Sequence, residues 1–319
     1  MAQDQVFVGV DVSKGTLDVH VHPGGTTGQF GNHKAGWRAL CAWLRRLAPG
    51  DRQGGIALEA SGGYERAVAR CLVEAGFRVH VLDPAQVRSF ARGLRRHAKT
   101  DAIDAAMIAR CLAATIDEAV PYRPDPHAER LAALVAFRAR LVAEAAALRG
   151  YRDTVEEAMV RRMVAARIAG LKLAVARLDS EIAALIASTD RFAARARMLL
   201  SVPGVGPVLT ATLIAQLPEL GRIGAKAVAA LVGVAPFNRQ SGRTDRGGRC
   251  RGGRRAVRAV LYMATLSAIR AGNPPVAALY QRLRRAGKPA KPAIVAAMRK
   301  LITILNAVAR DQKPWAHAT

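Results

Sequence analysis

Apolar and polar positions follow two periods over the first 115 or so residues. Val6 to Val10 is a short, wholly apolar run of the kind that fills a central strand. After the Ser13-Lys14-Gly15 turn, Leu17, Val19 and Val21 alternate with Asp18, His20 and His22, which predicts a half-buried strand returning as a hairpin. A weaker segment around Gln29 to Asn32 is a candidate third strand. The spacing of Trp37, Leu40, Leu44 and Leu47 predicts a helix over 35–47. Ile56 to Leu58 then reads as a strand, 64–75 as a helix, Val79 to Leu82 as a strand, and 85–94 and 101–114 as helices. Three antiparallel strands followed by crossover units fit one mixed sheet with helices on both faces.

Three prolines between Pro121 and Pro126 mark a boundary. Beyond it Leu131, Leu134, Leu141, Ala145, Leu148, Val155 and Met159 keep a helical seam that Arg138 and Arg152 interrupt. A cleaner heptad follows at Val164, Ile168, Leu171, Val175, Leu178, Ile182 and Leu185. It predicts helices packed along one seam, either as a hairpin within one chain or as a coiled-coil arm joining two copies. The phase slips between Met159 and Val164 and Gly170 weakens the middle, so a bend is expected there. From about Arg191 the chain reads as helices separated by loops. One loop is Ser201 to Pro207, and another is a Gly- and Arg-rich stretch from Arg239 to Arg255. The expected organisation is α/β over 1–120, a coiled-coil helical region over 121–190, and a mostly α region over 191–319.

Charge narrows the class. Lys and Arg total 49 against 24 Asp and Glu, a net charge of +25, and the pI is near 11.3. Self-repulsion on that scale calls for a polyanionic partner, and nucleic-acid phosphates bind Lys and Arg through counterion release. A membrane-surface role and a merely Arg-rich background are the alternatives. Aromatic residues make up 5% of the chain, which argues against base stacking as the main mode of recognition. Cys41, Cys71, Cys111 and Cys250 show no C-x-x-C spacing, so neither zinc nor a disulfide framework is indicated, and the first three sit among apolar neighbours as buried thiols would. The N-terminus lacks the pattern of a signal peptide, and no uninterrupted apolar run reaches the 18 or so residues of a membrane span. A cytoplasmic protein without a membrane partner is expected.

The acids fall at telling places. Asp11 closes the first strand and Glu59 closes Ile56-Ala57-Leu58, so in a sheet of this order both carboxylates leave one edge of the core. Asp101 and Asp104 are three apart on a helix and share a face. Four acids gathered in so basic a chain repel unless cations lie between them, and Mg²⁺ suits oxygen ligands and phosphate chemistry. Each also has a plain role. Asp11 would cap the turn, Glu59 would join a structural ion pair, and Asp101 and Asp104 would serve at a helix start. It is the set that points to a metal site, on a chain whose element order is RNase H-like.

At these residues the chain closely resembles the insertion-sequence-110 transposases, the DEDD group. The likeness runs through V-G-V-D-V-S-K-G at 8–15, L-E-A-S-G-G-Y-E at 58–65, K-T-D-A-I-D-A at 99–105, P-G-V-G at 203–206 and G-V-A-P-F-N-R-Q-S-G-R at 233–243. It implies a RuvC-like domain with Asp11, Glu59, Asp101 and Asp104 as metal ligands, a coiled-coil spacer, and a C-terminal transposase domain whose nucleophile is Ser241. It further implies recombination directed by a structured bridge RNA that pairs with donor and target DNA. The assembly it implies is a homo-oligomer, dimer or tetramer, in which the metal site of one protomer faces the serine of another.

Ser241 makes chemical sense as a nucleophile only with help, since a free hydroxyl needs a base, a metal or positive charge. Arg239, Arg243, Arg246, Arg249, Arg251, Arg254, Arg255 and Arg258 surround it in sequence, against the single acid Asp245. Guanidinium groups would hold phosphate oxygens and stabilise growing charge. A phosphoserine ester would also conserve the broken bond's energy. The plainer reading is a Ser-Gly turn with arginines clamping the backbone; Ser13, Ser61 and Ser201 read as turn or capping residues. Ser201 to Pro207 resembles a helix-hairpin-helix, in which Gly204 and Gly206 would let backbone N–H groups approach phosphate. Arg88, Arg92, Arg95, Arg96 and Lys99 form an acid-free run beside Asp101, either a solvated face or a clamp for nucleic acid. Competing functions are a RuvC-like nuclease or junction resolvase with Ser241 idle, and a non-catalytic architectural DNA-binding protein. An actin-like sugar kinase would need a second phosphate loop and leaves the charge unexplained.

Overall fold

The computed structural model describes residues 5–47, 53–94, 101–241, 244–250 and 252–316, without the side chains of 53, 101–103, 237–241 and 244–249. Two compact units divide the chain, Met1–Pro124 and Asp125–Thr319. In the first, β1 (Val6–Val12), β2 (Thr16–His22), β3 (Thr27–Gly31), β4 (Gln53–Glu59) and β5 (Val79–Leu82) form one sheet in the order β3-β2-β1-β4-β5. β1 and β2 pair antiparallel, as do β2 and β3, whereas β1–β4 and β4–β5 are parallel. With α1 (Lys34–Leu47), α2 (Glu65–Glu74), α3 (Pro84–Gly93) and α4 (Asp101–Thr115) between and after the strands, this is the RNase H-like architecture.

Strand alternation sorts the side chains between two cores. Val8, Val10, Val12, Leu17, Val19, Ile56 and Leu58 meet Leu40, Cys41 and Leu44 of α1 and Val68 and Leu72 of α2 on one face. Phe7, Ala57 and Leu82 meet Val87 of α3 and Met107, Ile108, Cys111 and Leu112 of α4 on the other. Each such leucine, wholly removed from water, contributes about 1.5–3 kcal/mol. β4 extends three residues before its apolar run. Gly54 lies under the Phe7 ring, 2.6 Å from where its Cβ would stand, and Gly55 lies against His80 and Leu112. Close approach there substitutes for an apolar signal.

Gly9 governs how α4 sits. A Cβ at this position would stand 2.1 Å from the Ala105 carbonyl oxygen and 2.5 Å from the Ala109 nitrogen. α4 therefore rests its backbone directly on β1, with small residues on both sides of the contact. His80 is buried on the same face of the sheet, and among the described residues its two nitrogens meet no partner in hydrogen-bonding geometry.

The second unit starts with an antiparallel hairpin of α5 (Pro126–Thr154) and α6 (Ala158–Ala187). Arg138 faces Asp179 at 2.5 Å, Arg167 faces Glu144 at 2.8 Å and Arg130 faces Glu181 at 3.1 Å. Leu141 and Ala145 pack on Leu171 along the seam. Arg138 interrupts the apolar pattern because it pairs across the hairpin. Gly170 lies inside the continuous helix α6, and the helix break falls at Val155–Glu157, just before the phase slip at Met159–Val164, where the Glu157 carboxylate accepts Val160 N at 2.7 Å.

There follow α7 (Asp190–Leu200), α8 (Pro207–Gln216), α9 (Ala225–Val232), β6 (Pro236–Ser241), β7 (Thr244–Cys250), α10 (Arg255–Arg270), α11 (Pro274–Arg285) and α12 (Ala290–Asp311). The stretch expected to be a Gly- and Arg-rich loop is largely a β-hairpin, with Ser241 paired to Thr244. Backbone pairing alone defines it, so no apolar alternation announced it. α12 is long and apolar enough by composition to cross a membrane although Arg299 and Lys300 interrupt it, and 56% of that window is buried inside the protein. It packs into the helical core through Leu301, Ile302 and Leu305.

Two predictions follow from the first unit. Gly9→Ala should cost about 3 kcal/mol, near the top of the range for overpacking, because the obstructing atoms are backbone; urea denaturation measures it. Burial, and after it Arg78, hold the His80 pKa below its ordinary 6.5, with the Val120 main chain compensating in part. The unfolded chain then binds the extra proton first, so stability is full above pH ~6.5 and falls as pH drops below it. His80→Leu should flatten that acid limb in melts recorded between pH 7.5 and 5.5.

Candidate functional site

The parallel register Val10↔Leu58 makes Asp11 and Glu59 the next residues of adjacent strands. Both follow the parity of Gly9 and Ala57, so they leave the sheet on the α4 face. α4 crosses β1 at Gly9 with its first turn toward the same strand ends. Asp104 is half-buried there, while the Asp101 side chain lies outside the described residues. The electrostatics report the grouping. The Glu59 carboxyl is pushed above its ordinary value first by burial, then by the Asp11, Asp104 and Asp83 charges, against an opposing pull from Arg88. Three acids far apart in sequence therefore act on one another.

Two further acids at this edge escaped sequence reasoning. Asp18 is the direct cross-strand partner of Asp11 and accepts Gln29 Nε2 at 2.8 Å. Asp83 follows Leu82, the partner of Glu59, and caps α3 by accepting Ala85 N at 2.6 Å. The strand alternation carried the signal for Asp18, since a polar position opposite Asp11 shares its face. Like charges directly opposed across strands are destabilising. Among the described residues no three His, Cys, Asp or Glu side chains already stand around one metal position. The donor set nevertheless fits a hard divalent cation: Asp11, Glu59 and Asp104 offer only carboxylate oxygens, and burial, with the neighbouring acids adding to it, raises the Glu59 pKa.

The loop after Glu59 is fixed from within. Glu65, buried at the start of α2, accepts hydrogen bonds on one carboxylate oxygen from Ser61 N at 3.1 Å, Ser61 Oγ at 3.1 Å and Gly63 N at 2.8 Å. Gly62 and Gly63, at φ +77° and +115°, supply the left-handed backbone that this clamp needs. Ser13 forms the turn after Asp11, its Oγ accepting Thr16 N at 2.8 Å. Ser201 likewise serves its turn, donating to the Met198 carbonyl at 2.7 Å.

The basic residues divide. Arg88 and Arg92 are exposed on α3, while Arg95, Arg96 and Lys99 lie outside the described residues. In the second unit Ser241, Arg239, Arg246 and Arg249 have described backbone on β6 and β7 but not described side chains, and Arg243 and Arg251 lie outside the description. Arg255 is exposed. Arg254, expected to contact nucleic acid, is turned to the protein: it holds Glu219 through two bonds of 2.6 and 2.5 Å and the Gln216 carbonyl at 2.9 Å. Gly204, at φ +88°, is required by packing, since its Cβ would stand 2.2 Å from Ala268 Cα; Gly206 has open space around it and caps α8.

Residues 8–154 match the family model of the DEDD transposases of the IS110 group, and residues 196–281 match the model described as transposase IS116/IS110/IS902 family. The chain belongs to the IS110 transposase family. Its relatives include the pilin gene-inverting proteins of Moraxella bovis and Moraxella lacunata, each 27% identical over 325 residues and 98% of both chains. The insertion element IS900 uncharacterized 42 kDa protein of Mycobacterium paratuberculosis is 32% identical over 167 residues, 50% of this chain and 41% of that one. Among solved structures, T. thermophilus RuvC in complex with Holliday junction substrate aligns at 18% identity over 37% of this chain and 99% of that one, with a TM-score of 0.30. As an IS110-family transposase, the protein is an enzyme that acts on DNA.

The two arginines that open α10 give a discriminating test. Arg254→Ala should lower stability by roughly 2 kcal/mol, the scale of hydrogen bonds to a charged group, and leave the salt dependence of DNA binding unchanged. Arg255→Ala should leave stability nearly intact and reduce the salt slope of DNA binding by about one, as loss of a phosphate contact does.

Proposed function

We propose that the protein cuts and rejoins DNA strands between donor and target, using Asp11, Glu59, Asp101 and Asp104 at one centre and Ser241 at another. The observation that carries this reading is the register Val10↔Leu58, which sets Asp11 and Glu59 side by side on the face where α4 brings Asp104. Those carboxylates would hold Mg²⁺, which when bound supplies electrostatic stabilisation of charge at a phosphodiester. The protein's own groups do the rest. Ser241 Oγ forms a bond to phosphorus as the bond from phosphorus to the sugar oxygen breaks, and the serine proton ends, through solvent, on that sugar oxygen, which departs as a hydroxyl. Attack by the hydroxyl of a second strand on the phosphoserine reverses the step and frees the serine. Neighbouring arginines on β6 and β7 hold the phosphate oxygens through the charge build-up.

The same reading assigns 1–120 to the RuvC-like DEDD domain, 121–190 to a coiled-coil spacer and 191–319 to the transposase domain. It makes a bridge RNA the reader of sequence, consistent with a chain poor in aromatics and rich in cations. A homo-oligomer, dimer or tetramer, would bring both centres to one junction, in the cytoplasm at the nucleoid.

Strand exchange by purified protein, guide RNA and both DNAs tests it. Ser241→Ala should abolish exchange and the covalent protein–DNA species trapped in denaturing gels, with DNA binding retained. Asp104→Asn should lower exchange by at least about a hundredfold, as removal of an electrostatic stabiliser does. Exchange that persists in Ser241→Ala would eliminate the serine mechanism and leave a RuvC-like nuclease; exchange untouched in Asp104→Asn would eliminate the metal centre.

A further inference from the structure

We propose that Asn32 is a positioning residue that sets the strand ends bearing Asp11 and Glu59 against each other; this rests on the carboxylate centre proposed above. Asn32 belongs to neither strand. It follows β3, yet it bonds to the segments that continue both β1 and β4. Its backbone N donates to the Gly15 carbonyl at 2.8 Å. Its Nδ2 donates to the Ser13 carbonyl at 2.8 Å, two residues beyond Asp11, and reaches the Tyr64 carbonyl at 3.4 Å, at the end of the loop after Glu59.

The amide is oriented by a third element. Trp37 of α1, itself packed on the valine-rich core, donates its indole Nε1 to Asn32 Oδ1 at 2.8 Å. An indole N–H can only donate, so Oδ1 must face it and Nδ2 must face the two carbonyls. The link to Glu59 is also taut. The intervening loop is clamped by Glu65 through Ser61 and Gly63, so a shift at Tyr64 is passed along a fixed turn. Repelling carboxylates would otherwise open the two strand ends, and this amide ties the turns immediately beyond them.

The test uses the full chain and Mn²⁺ alone, without nucleic acid, by titration calorimetry. The wild type should bind Mn²⁺, and Asp104→Asn should lose that binding. Asn32→Ala should weaken it about ten- to a hundredfold, the effect expected of a residue that orients ligands. Trp37→Phe, which keeps an aromatic ring in the core while removing the steering N–H along with part of the indole, should weaken it less but in the same direction. Val21→Ala, at the far end of β2, serves as a control that lowers stability and leaves Mn²⁺ affinity alone. Hydrogen exchange without metal should quicken in 13–16 and 61–65 together in Asn32→Ala. Wild-type protein that binds no Mn²⁺ would overturn the carboxylate centre and this role with it. Binding lost in Asp104→Asn but kept within about twofold in Asn32→Ala would overturn the role of Asn32 alone, being far below an orienting residue's effect. Should Asn32→Ala fail to fold, Trp37→Phe decides by the same criterion.

Discussion

The contact of α4 with β1 across Gly9 is the constraint on which the first unit depends. A helix laid on a sheet ordinarily stands off by the length of its side chains. Here the absent Cβ, with Ala105 and Ala109 opposite, brings backbone to backbone. That approach carries the first turn of α4 toward the ends of β1 and β4. Residues some 50 and 90 positions along the chain thereby join Asp11 at one edge. Any larger residue at Gly9 would lift the helix and separate Asp104 from the other two acids, whatever became of the strands.

Acids gathered in this way oppose folding, and bonds in the turns beside them help to offset that opposition. Glu65 closes the loop after Glu59, Ser13 closes the turn after Asp11, and Asn32 joins the two. Arg88 adds a counter-charge from α3. The edge is thus held in advance of any cation, at a place where the chain's large positive excess is locally reversed.

Much of this was legible because strand ends and helix faces are periodic. Val6–Val10, Ile56–Leu58 and Val79–Leu82 each announce a buried strand, and the acid that ends the first two is conspicuous. Asp18 and Asp83 were not singled out because their relevance depends on register: only the pairing Asp11↔Asp18 and Glu59↔Leu82 brings them to the edge. The β6–β7 hairpin escaped because the sequence from Asn238 to Arg249 carries no apolar alternation, leaving backbone pairing without a hydrophobic trace. The place of the break, Val155–Glu157, escaped for the opposite reason. The apolar seam runs on through it, and the cap that starts α6 is one glutamate among many charged residues. Likewise Arg254 looked like its neighbours in sequence, and only packing shows that its partner is Glu219.

Two half-buried glutamates separate structural charge from functional charge. Burial alone would raise the pKa of Glu219, yet the bonds from Arg254 outweigh it and hold the group below its ordinary value. Burial raises Glu59 too; Arg88 opposes it more strongly than any one acid adds to it, yet burial together with Asp11, Asp104 and Asp83 still leaves the group above its ordinary value. The first glutamate has the counter-ion a folded chain provides when a charge serves packing. The second has one guanidinium, Arg88, acting on it among three acids, and no side-chain bond of the kind Arg254 gives Glu219 appears among its causes. That contrast is what the cation site proposed for these carboxylates requires, since a divalent cation would relieve the repulsion at Glu59.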